Sequence, residues 1–121
     1  MPISVIKKSG QEIVYVDYRG LREHEDMMRQ LEETIAFVQQ NTVVGSMNRV
    51  IIDFRDAVLD KKFMAAMKEA GKRYFIPAGG KQVVLGFSGI RMIILNSYNR
   101  ISGGNVRAFA SEEEAYAYLC D

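Results

Sequence analysis

Residues 83–95 read VVLGFSGIRMIIL. A β-branched run ends at Gly86, a Phe87-Ser88-Gly89 turn follows, and an apolar helical pattern begins at Gly89. Strand, tight turn and helix in that order resemble a hydrolase nucleophile elbow, which places a serine on a strained strand-to-helix turn. The spacing argues otherwise. An elbow needs Gly-x-Ser-x-Gly, and here the order is Gly86-Phe87-Ser88-Gly89-Ile90, with the second glycine one place early. The only histidine is His24, and nothing in the sequence brings it to Ser88. Ser88 therefore reads as a helix N-cap, whose loss to alanine costs about 1 kcal/mol. A second reading is an anion contact at Ser88, Gly89 and Arg91, because a helix start at the C-terminal edge of a parallel sheet presents free N–H groups. The turn lacks both the Walker lysine and the Gly-x-Gly-x-x-Gly pattern of nucleotide sites.

Outward from this unit, the chain alternates strands and helices. Ile3 to Ile6 and Glu12 to Tyr18 flank a Lys-Ser-Gly-Gln turn and form a hairpin. Met27, Met28, Leu31, Ile35 and Val38 make one stripe of a helix over roughly 24–40. Asn41 to Met47 reads as a loop. Val50 to Phe54 is a buried-type strand, and Asp56 or Asp60 caps the helix that follows. Phe63, Met64, Met67, Ala70 and Tyr74 form its inner face; Gly71 weakens it and Pro77 to Gly80 ends it. Gln82 to Phe87, a helix over 89–101, and Val106 to Phe109 come next. Ser111 to Glu114 is a capping box that opens a last helix. The order β-β-α-β-α-β-α-β-α predicts an α/β fold with a mostly parallel sheet, an antiparallel N-terminal hairpin strand, and helices packed on the sheet.

Composition narrows the function. The 121 residues suit a single domain over 1–121. A net charge of +1 disfavours nucleic-acid binding by bulk charge. No apolar run approaches the ~20 residues of a transmembrane helix, and the start lacks a signal-peptide core. One cysteine, Cys120, excludes an internal disulfide, and the expected compartment is the reducing cytoplasm. With one histidine and one cysteine there is no convincing metal set, and no cofactor is expected.

Three carboxylates, Asp53, Asp56 and Asp60, follow the third strand and read as caps and turn formers. Lys61 and Lys62 sit where a helix N-terminus disfavours cations, so this place reads as a solvated pair or as a dock for an anionic group. The helix after Gly89 carries Ile90, Ile93, Ile94, Ser97, Tyr98 and Ile101 on one face, expected to be mainly core and secondarily a dimer or lipid-facing surface.

The C-terminal run, Val83 to Leu119, is similar to that of the SpoIIAA-like proteins. These are small bacterial domains of the STAS type, named for sulfate transporters and anti-sigma-factor antagonists. The similarity lies in Gly86 to Gly89, Arg91 to Asn96, Ser102-Gly103, Val106 to Phe109 and Glu112 to Leu119; VYVDYRGL (14–21) and VIIDFRDA (50–57) extend it over most of the chain. The chain most resembles the stand-alone subgroup, which is likened to both STAS and CRAL-TRIO lipid-transfer domains. The resemblance implies a βα superhelix and a role in binding or regulation, with no catalytic residues. Sporulation-type antagonists carry a phosphorylatable serine after an aspartate at the start of the second helix. Here Asp60 is followed by Lys61-Lys62-Phe63, so that switch is expected to be absent. The expected activity is non-enzymatic binding of a protein partner or a small hydrophobic or anionic ligand, at Ser88, Gly89, Arg91, Asp56, Lys61 and Lys62. A second copy of the chain is a further candidate partner. The alternatives are a lipid carrier of CRAL-TRIO type, which needs an apolar cavity of hundreds of Å3, and a small serine hydrolase using Ser88.

Overall fold

The computed structural model describes residues 3–40 and 49–121, so the loop expected over 41–47 lies outside the described residues. Strands β1 (Ile3–Lys8) and β2 (Gln11–Asp17) form the hairpin, followed by helix α1 (His24–Gln40). Then come β3 (Arg49–Asp53), α2 (Lys61–Ala70), β4 (Lys81–Leu85), α3 (Arg91–Ser102), β5 (Arg107–Phe109) and α4 (Glu112–Leu119). The sheet order is β1-β2-β3-β4-β5, antiparallel between β1 and β2 and parallel thereafter.

That order explains the layering. Each parallel strand joins the side of its predecessor, so crossovers of one hand place every connecting helix on one face. Val14, Val16, Tyr18, Val50, Ile52, Phe54 and Val84 meet α1, α2 and α3 there in the main core. The opposite face carries Ile13, Tyr15, Ile51, Val83 and Leu85, covered by Ala115 and Leu119 of α4. Helix α4 does not connect two of these five strands, so the crossover rule does not hold it to the first face. Arg49 Nε donates to the Leu119 carbonyl and Lys81 Nζ to that of Tyr118, which ties the end of α4 to the starts of β3 and β4.

Local signals held where a side chain could cap. Asp60 Oδ1 accepts from the Phe63 N–H at 2.7 Å, and Ser111 Oγ accepts from that of Glu114 at 3.3 Å. Gly71 does not simply fray α2. The helix passes there into a π-helical turn, Gly71–Phe75, closed by an Ile76 N–H to Gly71 carbonyl bond of 2.8 Å. A Cβ on Gly71 would lie 2.3 Å from the Tyr98 hydroxyl oxygen, so the bare backbone lets the α3 tyrosine pack flat against it.

Two expectations for α3 fail. The helix starts at Arg91, not Gly89, and Ser88 is not its cap: the N-cap is Ile90, and no side chain bonds the first turn. The buried face is Leu95, Tyr98 and Ser102, whereas Ile90, Ile93 and Ile101 are 78%, 68% and 54% exposed. The helix is rotated by roughly a quarter turn from the expected orientation, which follows from the residues that anchor its two ends.

Candidate functional site

The C-terminal ends of the parallel strands are stitched together by side chains. β2 and β3 end in the same sequence pattern, Asp17-Tyr18-Arg19 and Asp53-Phe54-Arg55, and the two aspartates pair in register. In each, the arginine folds back on its own aspartate: Arg19 Nε and backbone N–H donate to Asp17 Oδ1, and the same groups of Arg55 donate to Asp53 Oδ1. Asp53 is fully buried and also accepts from the Tyr15 hydroxyl. Burial alone would push the Asp53 carboxyl up, but the Arg55 fork and the Tyr15 hydroxyl outweigh it and hold the group below its ordinary range. Burial, then Asp53, drives the Tyr15 hydroxyl up. Asp53 is thus a pin between strands, held in its charged form at neutral pH with both carboxylate oxygens bonded. The two copies of Asp-aromatic-Arg were the available signal for it.

The next residues tie the β2–α1 loop to the β3–α2 loop. The Val58 N–H donates to the Leu21 carbonyl at 3.0 Å, Arg22 pairs with Asp56, and His24 Nδ1 lies 2.7 Å from Asp60 Oδ2. Asp60 therefore serves both the α2 N-terminus and His24. The Phe63 N–H first and His24 second hold its carboxyl below the usual range. Asp53, Asp56 and Asp60 each have a separate partner set, and no group of three His, Cys, Asp or Glu side chains suited to a metal occurs among the described residues.

The GFSG turn is also occupied. The N–H groups of Arg91, Met92 and Ile93 donate to the carbonyls of Ser88, Gly89 and Ile90 at 3.0–3.2 Å. Those are the donors an anion would need. Arg91 reaches inward and donates to the carbonyls of Gly86 (3.0 Å), Phe54 (3.4 Å) and Ala57. It thereby binds the β3 and β4 loops instead of facing solvent. Ser88 and Gly89 are exposed, and the Ser88 hydroxyl has no hydrogen bond among the described residues. Because the strand order never reverses, the sheet also lacks the crevice at which doubly wound folds bind ligands. Gly86 has a different role: with φ +92, its missing Cβ would lie 2.8 Å from the Phe54–Arg55 backbone, so the turn closes onto β3 only with glycine.

A concave surface lies between α2 and α3. It is a groove of about 530 Å3 with Leu59, Met64, Ala65, Ile93 and Ile94 as apolar lining and Lys61 and Lys68 on its α2 wall. Lys61 thus reaches a concave feature, whereas Ser88, Gly89, Arg91, Asp56 and Lys62 do not line it. Ile90 and Ile101 extend the apolar stripe of α3 past both ends of the groove, and the exposed Val58 lies in the loop that leads to α2. Lys68 and the outward turn of Ile93 were not legible beforehand. Inside the main core a void of about 20 Å3 lies between Ile52, Phe54, Met64, Leu95 and Tyr98, room for about one water-sized sphere.

No protein-family model and no curated protein matches this chain. Solved structures do. The fold is similar to that of an uncharacterized DUF3478-family protein with a SpoIIAA-like fold from Shewanella loihica PV-4, with TM-score 0.67 and 14% identity, covering 98% of this chain and 92% of that one. It is also similar to an anti-sigma-factor antagonist (STAS) domain protein from Planctomyces limnophilus, with TM-score 0.55 and 17% identity over 98% of both chains. The chain therefore has a SpoIIAA-like α/β fold, with a sheet whose first two strands are antiparallel and the rest parallel.

Proposed function

We propose that this chain is a non-enzymatic binding and regulatory module whose partner docks on the α2–α3 face. The observation that carries the reading is the solvent-facing stripe of Ile90, Ile93 and Ile101 beside an apolar groove. Large apolar side chains aligned along one helix face and left uncovered are a mark of an interaction surface. The separate commitments of Asp53, His24 and Arg91 support a binding role over a catalytic one, because each side chain is already spent on holding the strand ends together. The core void between Ile52, Phe54, Met64, Leu95 and Tyr98 is about 20 Å3, against the roughly 300 Å3 or more of small-molecule pockets, which favours surface docking over a carrier that encloses an acyl chain. Among the described residues no helix is long and apolar enough to cross a membrane. Lys61, Lys62 and Phe63 follow Asp60, so the start of α2 offers no hydroxyl for phosphorylation.

The test is site-specific crosslinking in cells. A photoreactive residue at position 93 is expected to give one dominant protein adduct, abolished by Ile90→Asp with Ile101→Asp. The same residue at position 32, on the exposed acidic side of α1, is expected to give none. Equal labelling from both positions, or none from 93, refutes the reading.

A further inference from the structure

We infer that the α2–α3 groove takes an acidic amphipathic helix of a partner protein, with apolar residues against Ile93 and Ile94 and carboxylates against Lys61 and Lys68. The inference rests on the α2–α3 face being the docking face, and names the chemistry of what docks there.

Shape comes first. From Ile90 to Ile101 the stripe on α3 spans three helical turns, about 16 Å. Lys61, Met64, Ala65 and Lys68 follow one another along the facing side of α2 over about 10 Å. An open trough of this length between two helices suits a third helix laid along it. A small ligand would stay largely in solvent, whereas ligand pockets enclose most of their occupant.

Charge selects the kind of helix. From Lys61 to Phe75 the chain holds five basic residues and one acidic one, Glu69, which lies 3.6 Å from Arg73. Helix α3 contains two arginines and no acidic residue. The one carboxylate at the groove, Asp60, is spent on the Phe63 N–H and His24. Lys61 and Lys68 have no ion pair among the described residues. Two cationic side chains without an ion pair among the described residues thus line the groove beside the exposed apolar stripe. A second copy is a poor occupant. Two-fold pairing of this face would set lysines against lysines. The acidic helices α1 and α4 contribute no large exposed hydrophobic side chain with which to fill the groove.

The experiment uses the whole chain and a fluorescent model helix of about 18 residues, five turns. It has leucines at i, i+3, i+4 and i+7 and glutamates flanking them, and a matched peptide carries lysines in place of the glutamates. Fluorescence anisotropy is expected to show saturable binding of the glutamate peptide only. Lys61→Glu with Lys68→Glu is expected to weaken it about tenfold, and Ile93→Asp to abolish it. Circular dichroism checks that both variants keep the fold. Equal binding of the two peptides, no saturable binding of the glutamate peptide, or indifference to the lysine reversals overturns the inference. Co-sedimentation with phosphatidylglycerol vesicles without peptide binding, or a dimer in sedimentation that Ile93→Asp dissolves, assigns the face to a membrane or to a second copy and equally overturns it. If position 93 crosslinks a protein in cells while the glutamate peptide fails, the docking face stands and the acidic-helix inference falls.

Discussion

Arg91 separates a binding role for the GFSG turn from a structural one. Its guanidinium donates to the carbonyls of Gly86, Phe54 and Ala57, so one side chain satisfies backbone groups on two loops. A hydrogen bond to a charged group is worth about 1.5–3 kcal/mol, less when long or partly wet. The Phe54 contact is long at 3.4 Å and the site is half-buried. Two effective bonds then give a loss of about 2–4 kcal/mol for Arg91→Met, which keeps the aliphatic stem. For a chain of this size that lowers Tm by about 8–15 °C. Arg91→Lys keeps the charge, but one ammonium cannot span all three carbonyls, so more than half of the loss remains. Urea denaturation followed by far-UV circular dichroism measures both variants. If Arg91 were only a positive charge waiting for an anion, Arg91→Lys would be neutral and Arg91→Met would cost little. Values for both within about 0.5 kcal/mol of the parent refute the strut.

Other perturbations follow from the same packing. Gly71→Ala pushes a methyl into the ring of the buried Tyr98 and is expected to cost about 1–3 kcal/mol in the same denaturation assay; a neutral or stabilising result would show that the ring moves aside. Ser88→Ala is expected to change stability by less than about 0.5 kcal/mol, because the hydroxyl caps nothing; the 1 kcal/mol of a true N-cap would contradict this start of α3. Ile93→Gln is likewise expected to stay within about 0.5 kcal/mol, against the 2–5 kcal/mol of truncating a core isoleucine. The Asp53 carboxyl is held below its ordinary value, so its stabilisation is complete above about pH 4 and is lost as pH falls through the depressed folded value. Asp53→Asn is expected to lower stability near neutral pH and flatten the acid limb of a thermal-denaturation profile; an unchanged acid limb contradicts the reading.

The element order was legible because each element carries a local signal. The stripe of Met27, Leu31 and Val38 is buried as the period of α1 requires, and the β-branched runs became β3 and β4 with bounds shifted by a residue or two. Asp60 and Ser111 cap as their spacing indicates, since a cap bond closes within three residues. The site was less legible. The contacts that join its separate strand ends and loops span 30 to 40 positions, such as Tyr15 with Asp53 and His24 with Asp60, and no local period encodes them. The repeated Asp-aromatic-Arg at two strand ends was the one signal present in the chain, and it becomes meaningful only when β2 and β3 lie side by side in register.

By itself, the sequence determined a single α/β chain with a hairpin start, parallel strands and capped helices, because periodicity, turn residues and caps act within a few residues of each other. Only the tertiary structure decided which side of α3 faces water. That helix is apolar on more than one side, so its period does not choose. Arg91 at one end grips the β3 and β4 loops, and Asn99 near the other exchanges two hydrogen bonds with the Val106 backbone, which fixes the rotation. With Tyr98 packed over Gly71, Leu95 and Ser102 turn inward, and Ile90, Ile93 and Ile101 turn to the surface where a partner can reach them.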